Sequence, residues 1–356
     1  MSLPGYWVLG TGFAQESAQR LRAGQEKIKV RDFDGAIPDF ERCLQLQPEE
    51  YNANFGLGVC YWEKEDFRKA RDQFAKVVEL VEKEKPGAPI PNVRQKLLGC
   101  AMLMEDFDAA VAEATRLIQF QPTAEYYYAR ALARQRLGDT KGAAEDCAGA
   151  LREDALLTKA RTLRAYMIVA GGDPEAGLAE YGRAIQARAS DPGGYLGRAC
   201  AYYRLDKGKE ALQDLQAARK LNRGQHHNVE EQGYVAALTS LVQLRAGRKT
   251  EAAEEAKAFR AVLKEIQRDP AKNHLLSLPL YVAGEISEDE LLRAAEAAPA
   301  RKAQARCEVL FFIAERKLAE GDKAAARAAF RKCVDTGARG NFEHDLAQIR
   351  LIVLGD

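Results

Sequence analysis

Apolar and polar positions alternate along this chain in long blocks with a fixed spacing. Short polar strings break the blocks: RDFDGA, EDFRKA, EDFDAA, GDTKGA, GDPEAG, DKGKEA, RKTEA and GDKAAA. Each ends on a small residue: Ala36, Ala70, Ala110, Ala143, Gly177, Ala211, Ala252 and Ala326. Their spacings are 34, 40, 33, 34, 34, 41 and 74 residues. A period of about 34 residues belongs to a helix–turn–helix unit stacked many times. The two longer steps coincide with EKPGAPIP and RGQHHNVE, strings of loop-type residues, and read as insertions. The last step spans two units, one of them degenerate.

Each unit can be numbered from 1 to 34 with the small residue at position 20. Position 8 then holds Gly24, Gly58, Leu98, Ala131, Ala165, Ala199, Ser240 and Ala314, all small except Leu98. Position 24 holds Phe40, Phe74, Ala114, Cys147, Tyr181, Leu215, Ala256 and Phe330. Two antiparallel helices approach closely where the facing side chains are small, and larger residues beside the crossing fill the remaining space. Before the second helix of six units stands Asp32, Asp66, Asp106, Asp139, Asp173 or Asp322. A carboxylate there accepts free N–H groups at the helix start and suits its dipole. Farther on, Ser287 and Glu290 have capping-box spacing and mark another helix start.

The pattern resembles the tetratricopeptide-repeat (TPR) family. Tyr51–Leu80 carries the resemblance best, with Leu57-Gly58, Tyr61, Ala70 and Phe74 at signature positions. The resemblance runs from about Ser17 to Asp356 with a gap near 270–300. It implies an all-α solenoid, a right-handed superhelix of about 8–9 antiparallel helix pairs with a concave groove. The expected organisation is a lead-in over 1–16, repeats one and two over 17–83, and an insertion over 84–90. Repeats three to six follow over 91–223, then an insertion over 224–232 and repeat seven over 233–270. A degenerate repeat over 271–300 and a terminal repeat with capping helix over 301–356 complete the chain. The tail, with GEISEDELL, Cys307-Glu308 and NFEHDLAQIRL, resembles bacterial adaptors of the new-lipoprotein-I type, which implies bacterial origin and an adaptor role. The chain lacks the cysteine after a small-residue tripeptide that would carry a lipid anchor.

The resemblance also assigns a working surface. Positions 2, 5, 9, 12 and 13 of each first helix face the groove. They place Phe55, Val59, Trp62, Tyr128, Arg136, Tyr166, Tyr203 and Arg204 there as the partner-binding set. An aromatic stripe on a wet surface marks a binding site, and Trp, Tyr and Arg dominate interface energies. The expected role is therefore a scaffold that binds a protein or peptide partner. The alternative is a self-associating envelope protein using Trp7, Val8 and the tail around Phe342. The carboxylate clamp of repeats that bind chaperones of the Hsp70 or Hsp90 type is missing. Its positions hold Leu21, Gln25, Gly56, Asn92 and Lys96.

Composition narrows the picture further. Lys plus Arg is 53 and Asp plus Glu is 52, a net charge of +1, which provides no field for nucleic acid. No run reaches the roughly 18 apolar residues of a membrane span. The seven cysteines form no CxxC pair and fit a reducing compartment. The apolar start ending Gly12-Phe13-Ala14 instead has the small-residue spacing of an export signal. No Ser-His-Asp or Cys-His arrangement is legible, so no enzyme, metal or cofactor is expected. The remote exception is a metal site on His226 and His227, with Glu230 or Glu231.

Overall fold

The structure is a computed structural model that describes residues 5–222, 228–297 and 302–355. Among these residues it holds nineteen α-helices and no strand. They form two compact units, Met1–Pro122 and Thr123–Asp356.

The first unit is three helical hairpins: α1 (Gly5–Lys29) with α2 (Phe33–Leu46), α3 (Tyr51–Glu63) with α4 (Phe67–Glu84), and α5 (Pro91–Leu103) with α6 (Phe107–Phe120). The second unit continues with α7 (Ala124–Leu137) and α8 (Thr140–Glu153), α9 (Thr158–Ala170) and α10 (Pro174–Ala187), and α11 (Pro192–Arg204) and α12 (Gly208–Asn222). Then come α13 (Val229–Arg245) and α14 (Lys249–Glu265), the short pair α15 (His274–Val282) and α16 (Glu288–Glu296), α17 (Lys302–Ala319) with α18 (Lys323–Asp335), and the closing α19 (Phe342–Val353). Two boundaries differ from expectation. Helix α1 begins at Gly5, inside the stretch read as a lead-in, and the second insertion ends where α13 starts at Val229.

The turns inside the hairpins share one construction. Position 15 is left-handed in each of Arg31, Glu65, Glu105, Gly138, Gly172, Asp206, Gly247 and Gly321, with φ between 57° and 96°. That reversal lets the N–H of position 16 reach back to the carbonyl of position 11: Asp32 to Lys27 and Asp139 to Arg134, both at 2.9 Å. The same aspartate then caps the next helix. Asp32 accepts from the Gly35 N–H at 2.9 Å, Asp139 from Gly142 at 2.9 Å and Asp322 from Ala325 at 2.9 Å. One residue closes the first helix and opens the second. The capping box of Ser287 and Glu290 is also formed.

The small–aromatic crossings are tight. A Cβ on Gly24 would lie 2.7 Å from the Phe40 ring, and one on Gly56, in the following repeat, 2.4 Å from the same ring. Gly58 meets Phe74 at 2.6 Å, and Gly197 meets the ring of Tyr181 from the repeat before at 2.5 Å. Glycine is needed because the ring takes the volume a side chain would fill.

Position 23 adds an acid that the repeat pattern did not reveal, buried at Asp39, Asp146, Glu180 and Asp214 and half-buried at Glu113. Asp39 pairs with Arg20 and Lys27, Glu113 with Arg94, Asp146 with Arg130 and Arg134, Glu180 with Arg164 and Arg183, and Asp214 with Arg198. Burial alone would raise the Asp39 carboxyl, but hydrogen bonds from Lys27 and Arg20 outweigh it and hold its pKa below the ordinary value. The second repeat has Gln73 at this place, and its buried Oε1 has no hydrogen-bond partner.

Candidate functional site

The expected binding residues fall into two sets, three in the first unit and five in the second. In the first unit, Phe55, Val59 and Trp62 lie four and three residues apart on α3, so they form one stripe. All three are half-buried. Phe55 leans on Phe74, with ring centroids 5.6 Å apart. Trp62 meets Phe67 edge-on at 5.3 Å and covers Gly99, where a Cβ would come within 2.6 Å of the indole. The Lys96 Nζ sits 4.5 Å from its ring centroid, a cation–π contact. Beside Phe55 opens a hollow of about 300 Å³, walled by Val77, Val81, Ile90 and Val93 and rimmed by Asn52 and Asn92. Such a surface offers apolar contact for a side chain and amide groups for a peptide backbone.

The second set is placed differently. Tyr128 is half-buried beneath Lys159, whose Nζ is 4.9 Å from the ring centroid, and burial raises its hydroxyl pKa. Arg136 and Arg204 are half-buried. Tyr166 and Tyr203, expected on a wet groove, meet the chain's own C-terminal repeat instead. The Tyr166 hydroxyl donates to the Asp345 carboxylate on α19. Tyr203 is only 2% exposed, donates to Glu315 Oε2 on α17 at 2.8 Å, and faces Phe342 with centroids 6.4 Å apart. Gln135, another groove position, donates through Nε2 to the Gly340 carbonyl at 2.6 Å. The physical reason is burial. Phe311, Phe312 and Phe330 of the terminal hairpin are fully buried in one core with Tyr203, Leu238 and Leu241. The terminal repeat therefore covers part of the inner face of this unit: Tyr203 is interior, which corrects the wet-stripe expectation for it, and Tyr166 is half-buried and tied to the chain's own α19.

A polar network missing from the sequence reading lines that interior. Tyr234 donates to Glu343 at 2.6 Å, Arg350 Nε donates to Glu315 at 2.8 Å, and His274 Nε2 lies 2.7 Å from Glu308. Burial first, and the charge of Glu308 second, push the Glu343 carboxyl up to about 7. The signal was available only as acidic and basic residues inside an apolar tail, because their partners lie 34 to more than 100 residues away.

His226 and His227 lie outside the described residues, as do the side chains of Trp7 and Val8. Phe342, the other residue assigned to self-association, is half-buried against Tyr203 and Phe311. Among the described residues no group of three or more His, Cys, Asp or Glu side chains could hold a metal. Among them also, no helix is long and apolar enough to cross a membrane.

Helical hairpins stacked at a constant period, with interlocked small and aromatic residues, define a helical-repeat scaffold. The tetratricopeptide-repeat profile matches residues 21–89. The chain thus contains tetratricopeptide repeats. It is 26% identical over 135 residues to a TPR repeat-containing protein of Methanocaldococcus jannaschii, a match taking in 37% of this chain and 24% of that protein. A tetratricopeptide repeat protein from Parabacteroides merdae shares the fold with TM-score 0.58 at 16% identity, covering 75% of this chain and 99% of its own. MamA of Desulfovibrio magneticus overlaps 49% of this chain and 96% of its own at 15% identity, with TM-score 0.43.

Proposed function

We propose that this protein is a scaffold that captures a segment of a partner protein on the first unit, across the α3 face of Phe55, Val59 and Trp62. The observation that supports this reading most is Trp62, only half-buried although it is held over Gly99 and carries Lys96 on its ring. Interface tryptophans of this kind contribute about 2 kcal/mol or more when truncated. Tyr128, Arg136 and Arg204, half-buried in the second unit, are assigned a lesser share, and Tyr166 and Tyr203 a structural one. No step of catalysis is assigned to any residue.

The test is site-directed photocrosslinking in the source cells. A photoreactive residue at exposed Asn52, beside the stripe, is expected to form an adduct with a discrete partner. One at exposed Lys76, on the neighbouring α4, is expected to form none. Trp62→Ala should abolish the Asn52 adduct with helical circular dichroism unchanged. An adduct that survives Trp62→Ala undiminished would remove this face from the function.

A further inference from the structure

Repeats six and seven break the turn rule. Where Asp32, Asp66, Asp106, Asp139, Asp173 and Asp322 stand in the other turns, these two carry Lys207 and Arg248. Neither basic side chain can accept a hydrogen bond, and α14 indeed has no side-chain cap. At two adjacent turns the acid that six others keep is thus replaced by a cation, a change of two charges each. The same two repeats are separated by the longer of the two insertions. Between α12 and the end of α13 lies an opening of about 670 Å³. Its floor is apolar, with half-buried Leu212 and buried Val242. Its rim carries Lys209, Arg245 and Arg248. Asp206 is the acid of the lining, and it is committed to Arg245 and, at 3.5 Å, to Arg350. Lys209 and Arg248 are exposed and have no ion pair among the described residues. The nearby acids Glu210 and Glu251 form no part of the lining.

We infer that this opening docks an acidic segment of a partner protein. Carboxylates meet Lys209 and Arg248, and an aliphatic side chain lies between Leu212 and Val242. Charge complementarity selects the partner's sign, and the apolar floor selects a peptide over a free anion. The site belongs to the second unit and does not depend on the Trp62 face.

The experiment is fluorescence anisotropy on the full chain with the fluorescein-labelled peptide Asp-Glu-Leu-Asp-Leu-Glu. Its neutral counterpart Asn-Gln-Leu-Asn-Leu-Gln and a single-stranded oligothymidylate serve as competing probes. Saturable binding of the acidic peptide is expected, falling with added salt. Arg248→Asp restores the acid that six other turns carry, so the fold should be retained, and it should weaken binding at least tenfold. Lys209→Ala should weaken it severalfold, and Trp62→Ala should leave it unchanged. The inference is overturned if the acidic peptide fails to bind, if Arg248→Asp and Lys209→Ala both stay within twofold, or if the neutral peptide binds as tightly. It is also overturned, in favour of nucleic acid, if only the oligonucleotide shows binding sensitive to Arg248→Asp.

Discussion

Asp146 is held by three hydrogen bonds. Arg130 donates from Nε at 2.9 Å and from Nη2 at 2.7 Å, and Arg134 donates from Nη1 at 2.9 Å. The carboxylate is 4% exposed, Arg130 13% and Arg134 25%. Asp146→Asn keeps the shape but removes the charge, and it turns an amide N–H₂ towards two guanidinium groups. Removing one partner of a buried ion pair costs about 3–5 kcal/mol, because the other charge stays buried without compensation. Arg134 can turn partly to water, which places the expected loss near the lower end, about 3 kcal/mol. The readout is amide hydrogen exchange followed by mass spectrometry, which reports opening of α7 and α8 locally rather than of the whole chain. At about 1.4 kcal/mol per factor of ten, protection of these helices should drop roughly a hundredfold. Replacing the whole cluster, as in Asp146→Leu with Arg130→Leu and Arg134→Met, should recover most of that loss, since no charge is left buried. The reasoning fails if Asp146→Asn changes protection less than fivefold, or if the apolar triple variant is as weak as the single one.

Two further outcomes follow from the geometry. Glu105 occupies a left-handed turn at φ 58° where four other repeats have glycine (Gly138, Gly172, Gly247 and Gly321), so Glu105→Gly should raise stability by up to about 1 kcal/mol and Gly138→Ala should lower it by about as much, read as shifts in thermal midpoint. Glu343, with its pKa pushed up to about 7, keeps its proton in the folded chain between the ordinary carboxylate value near 4.5 and about 7, while the unfolded chain has lost it. Its contribution to stability therefore falls as pH rises through that window, by up to about 1.4 kcal/mol per pH unit. Glu343→Gln should flatten the difference in thermal midpoint between pH 4.5 and 7.5. A wild-type-minus-variant difference that does not vary with pH would contradict the assignment.

What the sequence made legible is what recurs within one repeat. The period, the small residues at position 8, the rings of Phe40, Phe74, Tyr181 and Phe330 at position 24 and the aspartate caps all act over fewer than 34 residues, and all appear in the structure. The acid at position 23 also recurs, but its meaning needs the cation one helix away, which sits at position 4, 7 or 11 in different repeats and so leaves no fixed spacing. The inner face of the second unit was illegible for a different reason. Whether Tyr166 and Tyr203 are wet depends on residues 179 and 112 positions farther on, and repeat periodicity carries no information at that range. Local pattern decides how each hairpin closes, whereas the fate of its inner face is settled by whichever part of the chain returns to it.

The Phe40 ring, fully buried and pressed between Gly24 of its own hairpin and Gly56 of the next, belongs to two repeats at once. Tyr181 repeats the arrangement against Gly197. The indivisible element of such a stack is then the joint between neighbours rather than the hairpin that the period delimits. A chain cut at a period boundary strands an aromatic ring in water, and one lengthened by a foreign hairpin without the paired glycines has nowhere to seat it. In a nearest-neighbour description of the stack, the coupling term carries these rings and the single-repeat term does not, so fraying should proceed by whole joints.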